Sequence, residues 1–489
     1  MIPVLLIVVP LLSGLAAFFI KQEKGVKTWA LLSTVITLVV SLLGLTVLNK
    51  AANLHADAEW LPLLGSRFTV GLDGMGQVLC LLTAVAFPII LVATWNSTYK
   101  QAHNFYAFML LSQAGLMGVF LAYDALLFYF FWELALIPAY FLCSIWGGEK
   151  RIPVTFKFFV YTFIGSLLML VGIIYIYLHT PDQSFALDAF YKATLTNKEQ
   201  GWIFWLFFIA FAIKMPVFPF HTWQPDAYEQ SPTAVTMVLS GVMVKMGLFG
   251  VIRWLAPVLP MATWLNGDTV ALLSVIGMIY ASLIAMQQDD LKRLIAYSSI
   301  AHMGLMCMAI FVTSEQGMQG VMIQMFNHGV NIIGMWIVVE LIERQTGTRK
   351  ISELGGLAQK APGLTIMLVI VALANVALPL TNAFIGEFLL FTGVFNSTVS
   401  KNSHWFAAAG GITIILSAVY TLNMIQKVFY GNTSSLTASF KDIRFNERLV
   451  LGILVIVIVV IGVYPRPFLA LTQETVDTIL SRMIIKQPS

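Results

Sequence analysis

A chain of 489 residues with 58% hydrophobic and only 11% charged side chains, at a mean hydropathy of +0.84, has too little polar surface to be a water-soluble domain. A soluble globular protein is excluded, the lipid bilayer is the expected surrounding, and no nucleic acid is expected as a partner. The net charge of +4 is small, so the placement of the charges is more informative than their sum.

Runs of about 20 apolar residues cross a hydrocarbon core roughly 30 Å thick. Fourteen such runs begin near residues 2, 26, 75, 104, 125, 155, 201, 231, 268, 291, 318, 361, 405 and 447. The expected fold is therefore an all-α polytopic membrane protein; the alternating ten-residue pattern of an outer-membrane barrel is absent. The first run follows Met1 without a basic segment or cleavage site and is expected to be a retained helix. Between the second and third runs, residues 49–74 hold short apolar stretches around Trp60 and from Phe68 to Leu72, which read as a hairpin. Placing the loop KQEKGVK (21–27) in the cytoplasm puts 17 Lys and Arg on that side, nine outside and two within spans. Both termini are then expected outside, in a bacterial inner membrane. In the tail, Val476, Ile479, Leu480 and Met483 share one helical face, expected to lie on the membrane surface or on a partner.

The spans repeat. Starts near 104, 155 and 201 recur about 163 residues later near 268, 318 and 361, and Pro216 and Pro379 are 163 residues apart. Five spans per copy force the second copy into the membrane from the opposite side, so the repeats are expected to be inverted. The expected division is an N-terminal group with the external loop (1–103), a first repeat (104–255), an inverted second repeat (256–430), and a last span with an amphipathic tail (431–489). Pro216 and Pro219 remove amide donors just after Lys214, which predicts a broken seventh span. Pro379 does the same eight residues before Glu387, where Thr381 and Asn382 can satisfy freed backbone groups.

Four ionisable residues lie deep in apolar runs: Glu133, Lys214, Lys245 and Glu387. A charge at the bilayer centre costs roughly 2.5 to 3.5 kcal/mol on insertion scales, so such residues point to an ion or proton pathway. Gln324, Asn327, His328 and Asn331 recur at helical spacing on the eleventh span, and Ser298, Ser299 and His302 cluster on the tenth. The competing structural roles are plain: serines and asparagines joining helices by hydrogen bonds, histidines satisfied in a core, Glu133 and Lys214 as a static ion pair, and Lys245 reaching an interface. His302 and His328 together, in a repeat that also holds Glu387, favour a proton relay. Cys80, Cys143 and Cys307 stand singly and read as packing residues. No glycine-rich phosphate loop, haem-attachment motif or zinc-protease motif is present, so no cofactor is expected in this chain.

The segments FYFFWELALIP (128–138), AIKMPVFPFHTWQPDAYEQSPT (212–233), LKRLIAYSSIAHMG (291–304) and NAFIGEFLLF (382–391) resemble the antiporter-like membrane subunits of respiratory complex I, the NADH:quinone oxidoreductase, over nearly the whole chain. Fourteen spans and a glutamate rather than a lysine on the twelfth resemble the bacterial M-type branch of that family. The resemblance implies that Glu133 and Lys214 form a coupled pair, that Lys245 with His302 or His328 is a central relay, and that Glu387 is the distal proton group. It also implies membrane and peripheral partner subunits, neighbouring antiporter-like subunits among them, that carry NADH, FMN, iron–sulfur clusters and quinone. Subunits of multisubunit sodium/proton antiporters and of group 4 membrane hydrogenases are similar too. Glu387 weighs against the antiporter, where a lysine is expected. A transport-inactive scaffold would not be expected to keep the buried charges, and no quinone-pocket signal is readable.

Overall fold

The computed structural model describes residues 1–483. Helices α1 (Ile2–Ala17) and α2 (Glu23–Leu45) lead into a hairpin of β1 (His55–Leu61) and β2 (Ser66–Gly71), followed by α3 (Gly74–Ala93). Then come α4 (Ala102–Leu121), α5 (Ala125–Trp146), α6 (Arg151–Leu178), α7 (Asn197–Lys214) with the short α8 (Gln224–Gln230), and α9 (Thr233–Leu255). The same order returns as α10 (Pro260–Met286), α11 (Leu291–Val312), α12 (Glu315–Thr346), the pair α13 (Pro362–Asn375) and α14 (Asn382–Phe395), and α15 (Ser403–Phe429). The chain continues through α16 (Phe445–Val463) to α17 (Arg466–Met483). Among the described residues, eleven helices are long and apolar enough to cross a membrane. The expected fourteen crossings require in addition that α1 and each interrupted pair, α7/α8 and α13/α14, span the bilayer.

Large apolar side chains left exposed along the outer helices, such as Phe156, Ile164 and Val171 on α6 and Ile456, Val460 and Val463 on α16, form the surface that lipid covers. The chain is an integral multi-pass membrane protein.

The two copies share local construction. The second helix of each starts behind an aspartate cap: Asp124 accepts from the amides of Leu126 and Leu127, both at 3.0 Å, and Asp290 from those of Lys292 at 2.8 Å and Arg293 at 3.1 Å. Each cap also forms an isolated antiparallel bridge to a later segment of its own copy, Asp124 to Ala186 and Asp290 to Lys350. Asp124 lies on the hairpin side, where Ser66 and the Arg67 amide donate to it. With the interrupted pair α7/α8 taken as one crossing, five separate it from Asp290, which puts the second cap on the opposite face. These are inverted repeats.

Both proline signals mark real interruptions. Residues 215–223 run in turns after Lys214, and the Trp223 indole donates to the carbonyl of Ile213 at 2.9 Å. In the second copy Ala377 and Leu380 adopt φ of +56° and +72°, unusual for residues with a Cβ, between Asn375 and Asn382. Asn327 of α12 donates to the Asn382 carbonyl at 2.8 Å, so a neighbouring helix satisfies part of the break.

The expectation for the tail is corrected. Val476, Ile479, Leu480 and Met483 are buried on α17, but against α3 and α12 of the same chain, with Thr475 accepting from the Gly74 amide at 3.0 Å. The face is covered from within the molecule.

The hairpin carries one exposed ion pair. Arg67 Nη2 and Thr69 Oγ1 each donate to Asp57 at 2.7 Å, holding its carboxyl down to about 2 from 3.8. Because the folded-state value is the lower one, this stabilisation is present above 3.8 and is lost as pH falls through about 2. Exposure keeps it under about 1 kcal/mol. Hydrogen exchange at the hairpin amides is expected to quicken across that window in the parent chain and less in Arg67→Ala.

Candidate functional site

In the first copy, Glu133 lies on α5 and Lys214 is the last residue of α7. Lys214 is 2% exposed, its ammonium 5.4 Å from the centre of the Trp132 ring, and its Nζ has no hydrogen-bond partner. Glu133 Oε1 is likewise buried without a partner. The two therefore do not form an ion pair, neither the static one weighed from the sequence nor a contact version of the coupled pair.

The decisive geometry lies between the copies. Helix α9 is interrupted by two π-turns, Leu239–Met243 and Val251–Leu255, which flank the turn starting at Lys245. Lys245 is fully buried, and its Nζ donates to the Ser240 carbonyl at 2.7 Å. The same Nζ lies 2.8 Å from His328 Nδ1 on α12. A protonated lysine donates to Nδ1; a neutral one accepts from Nδ1–H, so one contact serves both directions of transfer. Gly241 and Gly329 make it possible. A Cβ on Gly329 would lie 2.8 Å from the Gly241 carbonyl oxygen, so only glycine lets α9 and α12 approach this closely beside His328.

From His328 the path continues to α11. The rings of His328 and His302 are 5.4 Å apart, and His302 Nδ1 is 3.2 Å from Glu387 Oε1 on α14. Both Nε2 atoms are buried without a protein partner, and the gap between the rings is one that a ring turn or one bridging water can close. Lys245, His328, His302 and Glu387 thus form one buried line drawn from four helices. No carboxylate pairs with Lys245 among the described residues, so no salt bridge holds its ammonium.

The chain as a whole is matched in known proteins. Residues 122–417 fit the family model described as NADH:quinone oxidoreductase/Mrp antiporter, TM. The chain belongs to this family. Subunit M of the NADH-quinone oxidoreductase of Rhodobacter capsulatus is 36% identical over 458 residues, 91% of this chain and 88% of the relative. Subunit M of the F(420)H(2) dehydrogenase of Methanosarcina mazei is 32% identical over 98% of this chain and 99% of its own length. Among solved structures, a chain of respiratory complex I from Thermus thermophilus with bound NADH superposes with a TM-score of 0.89 at 27% identity, covering 98% of this chain and all of that one. A chain of the Mrp complex from Dietzia superposes at 0.85 with 17% identity, over 99% of each, which shows a shared fold.

Sequence reasoning missed several groups of this NADH:quinone oxidoreductase/Mrp antiporter member. Arg253, counted as a loop charge, is buried two turns beyond Lys245 and bonds Asp73 at 2.5 Å. On the face opposite the hairpin, Lys292 pairs with Glu343 at 2.8 Å and Arg349 with Asp290 within the second copy, while Arg349 also pairs with Glu229 of the first at 2.9 Å and so joins the copies. Ser298 serves the structural role expected of it, accepting from Asn375 at 3.3 Å and from Tyr420 at 3.0 Å. Ser299 Oγ and the Asn331 amide are buried without protein partners, as are Gln113, Gln224 and Gln324 Oε1. The one sequence signal for Arg253 is its spacing of eight from Lys245, which keeps both near one helical face.

Proposed function

We propose that this chain is the antiporter-like subunit through which NADH:quinone oxidoreductase moves protons across a bacterial cell membrane, with both termini outside the cytoplasm. NADH, FMN, iron–sulfur clusters and quinone act in partner subunits, and this chain contributes the proton path. The observation that carries the reading is the buried succession Lys245, His328, His302, Glu387, with contacts at both ends and a gap between the rings that one water can bridge. Proton carriers at this depth are costly and are kept where they serve transport.

Lys214 acts as the switch. Lys214 is buried with no hydrogen-bond partner on its Nζ, and Glu133 of the same copy, its Oε1 also buried, makes no ion pair with it. A charge change at Glu133, arriving from a neighbouring subunit, releases the Lys214 proton or its charge effect toward Lys245. Gly247, two residues past Lys245, packs against Met215 and the Phe211 carbonyl beside Lys214, so the two lysines sit on helices in close contact. The proton then runs to Glu387 and leaves outward.

The test is Lys214→Ala in the intact complex, reconstituted in vesicles and driven by NADH and quinone. Pumping is expected to fall at least about tenfold at equal complex content, with Glu133→Ala similar and Glu133→Asp milder. Normal pumping by the assembled Lys214→Ala complex would contradict the assignment. The ionic selectivity is read in the same vesicles: pumping without sodium supports protons, and a sodium requirement favours the antiporter alternative.

A further inference from the structure

His302 and Glu387 share a small cavity of about 10 Å³ with Thr413, Ser417 and Tyr420 of α15. That is close to the space one water needs. Behind Tyr420 a second cavity, of about 340 Å³, opens on the face opposite the hairpin, with Asp289 and Lys427 on its walls. Tyr420 lines both spaces. Its side chain is buried, and its hydroxyl donates to Ser298 Oγ at 3.0 Å. Ser298 stands one turn before His302 on α11, so the group that holds Tyr420 and the relay histidine share one helical face.

We propose that Tyr420 is a gate between Glu387 and the loop-side cavity, and that its release from Ser298 lets Glu387 exchange a proton with that cavity independently of the histidines. Its side chain borders both spaces, and its hydroxyl is tied to the helix that carries His302. A shift of His302 as it takes or gives a proton therefore reaches the gate through Ser298. Outward transport requires the gate to be shut whenever Glu387 faces the opposite side; a gate that stays open short-circuits the membrane. This rests on Glu387 being a proton-carrying group.

The measurement is passive proton flux in vesicles containing the whole complex, driven by an imposed potassium diffusion potential without NADH. Tyr420→Ala is expected to raise the flux about tenfold over the parent, and Tyr420→Phe, which loses only the tie to Ser298, to raise it less. Adding Glu387→Gln to Tyr420→Ala is expected to return the flux to the parental level, which a merely loosened structure would not do. Parental flux in assembled Tyr420→Ala, or a raised flux that survives Glu387→Gln, overturns the gate. If Tyr420→Ala does not assemble, Ser298→Ala decides: a Glu387-dependent rise supports the gate and parental flux overturns it. Glu387→Gln alone separates the two ideas. Normal NADH-driven pumping there removes the relay itself, whereas lost pumping there with parental flux in Tyr420→Ala removes only the gate.

Discussion

Replacing Lys245 by methionine is expected to lower proton pumping by about a hundredfold while the complex still assembles, because a positioned proton carrier contributes roughly 10² to 10⁴ in rate. Methionine has nearly the shape of lysine but neither donates nor carries a proton. Stability should change little. Lys245 has no carboxylate partner among the described residues, so its removal strands no opposite charge; what is lost is one bond to the Ser240 carbonyl and one to His328. Thermal stability close to the parent with pumping near zero is the expected pair of results. Parental pumping would show that the lysine only packs between α9 and α12.

Arg253→Ala is expected to have the opposite profile. The Arg253 guanidinium bonds Asp73 at 2.5 Å and lies over the rings of Tyr123 at 5.0 Å and Phe249 at 5.5 Å. Asp73 also caps α3, accepting from the Gly76 amide at 2.9 Å. Truncating the arginine leaves that carboxylate without its counter-charge, at a cost on the order of 3 to 5 kcal/mol. The yield of assembled complex and its melting temperature should fall, while pumping per assembled complex stays near the parent. Asp73→Asn added to Arg253→Ala should recover part of the loss, since an amide keeps the cap without an uncompensated charge. A destabilisation that the second substitution does not relieve would mean that the packing of the guanidinium on Tyr123 and Phe249, and not the pair, is what Arg253 supplies.

Much of the site is legible in the sequence alone. Glu133, Lys214, Lys245 and Glu387 stand out because apolar context makes a charge conspicuous, and Pro216, Pro219 and Pro379 locate both helix breaks because a ring without an amide proton leaves a visible mark. The meeting of Lys245 with His328 is not legible there. They are 83 positions apart, and helical periodicity tells which face a residue occupies, not which helix lies against it. The glycine pair that permits the contact, Gly241 and Gly329, looks like any two of 35 glycines. The π-turns around Lys245 have no compositional signature. Tyr420, one of 15 tyrosines, gains meaning only from the cavities on its two sides. The tail follows the same pattern: Val476 and Ile479 announce a face that must be covered, and the cover is α3 and α12.

In the proposed path protons travel from Lys245 through His328 and His302 to Glu387. Proton movement per NADH oxidised, measured in reconstituted vesicles at equal complex content for Glu387→Gln, tests it most directly. Glutamine keeps the shape and can still hydrogen-bond His302, but it cannot ionise. Pumping is expected to be strongly impaired, while Glu387→Lys, which restores a titratable group at the same place, is expected to retain part of it. Parental pumping by Glu387→Gln would contradict the account and reduce the carboxylate to a hydrogen-bonding fixture for His302.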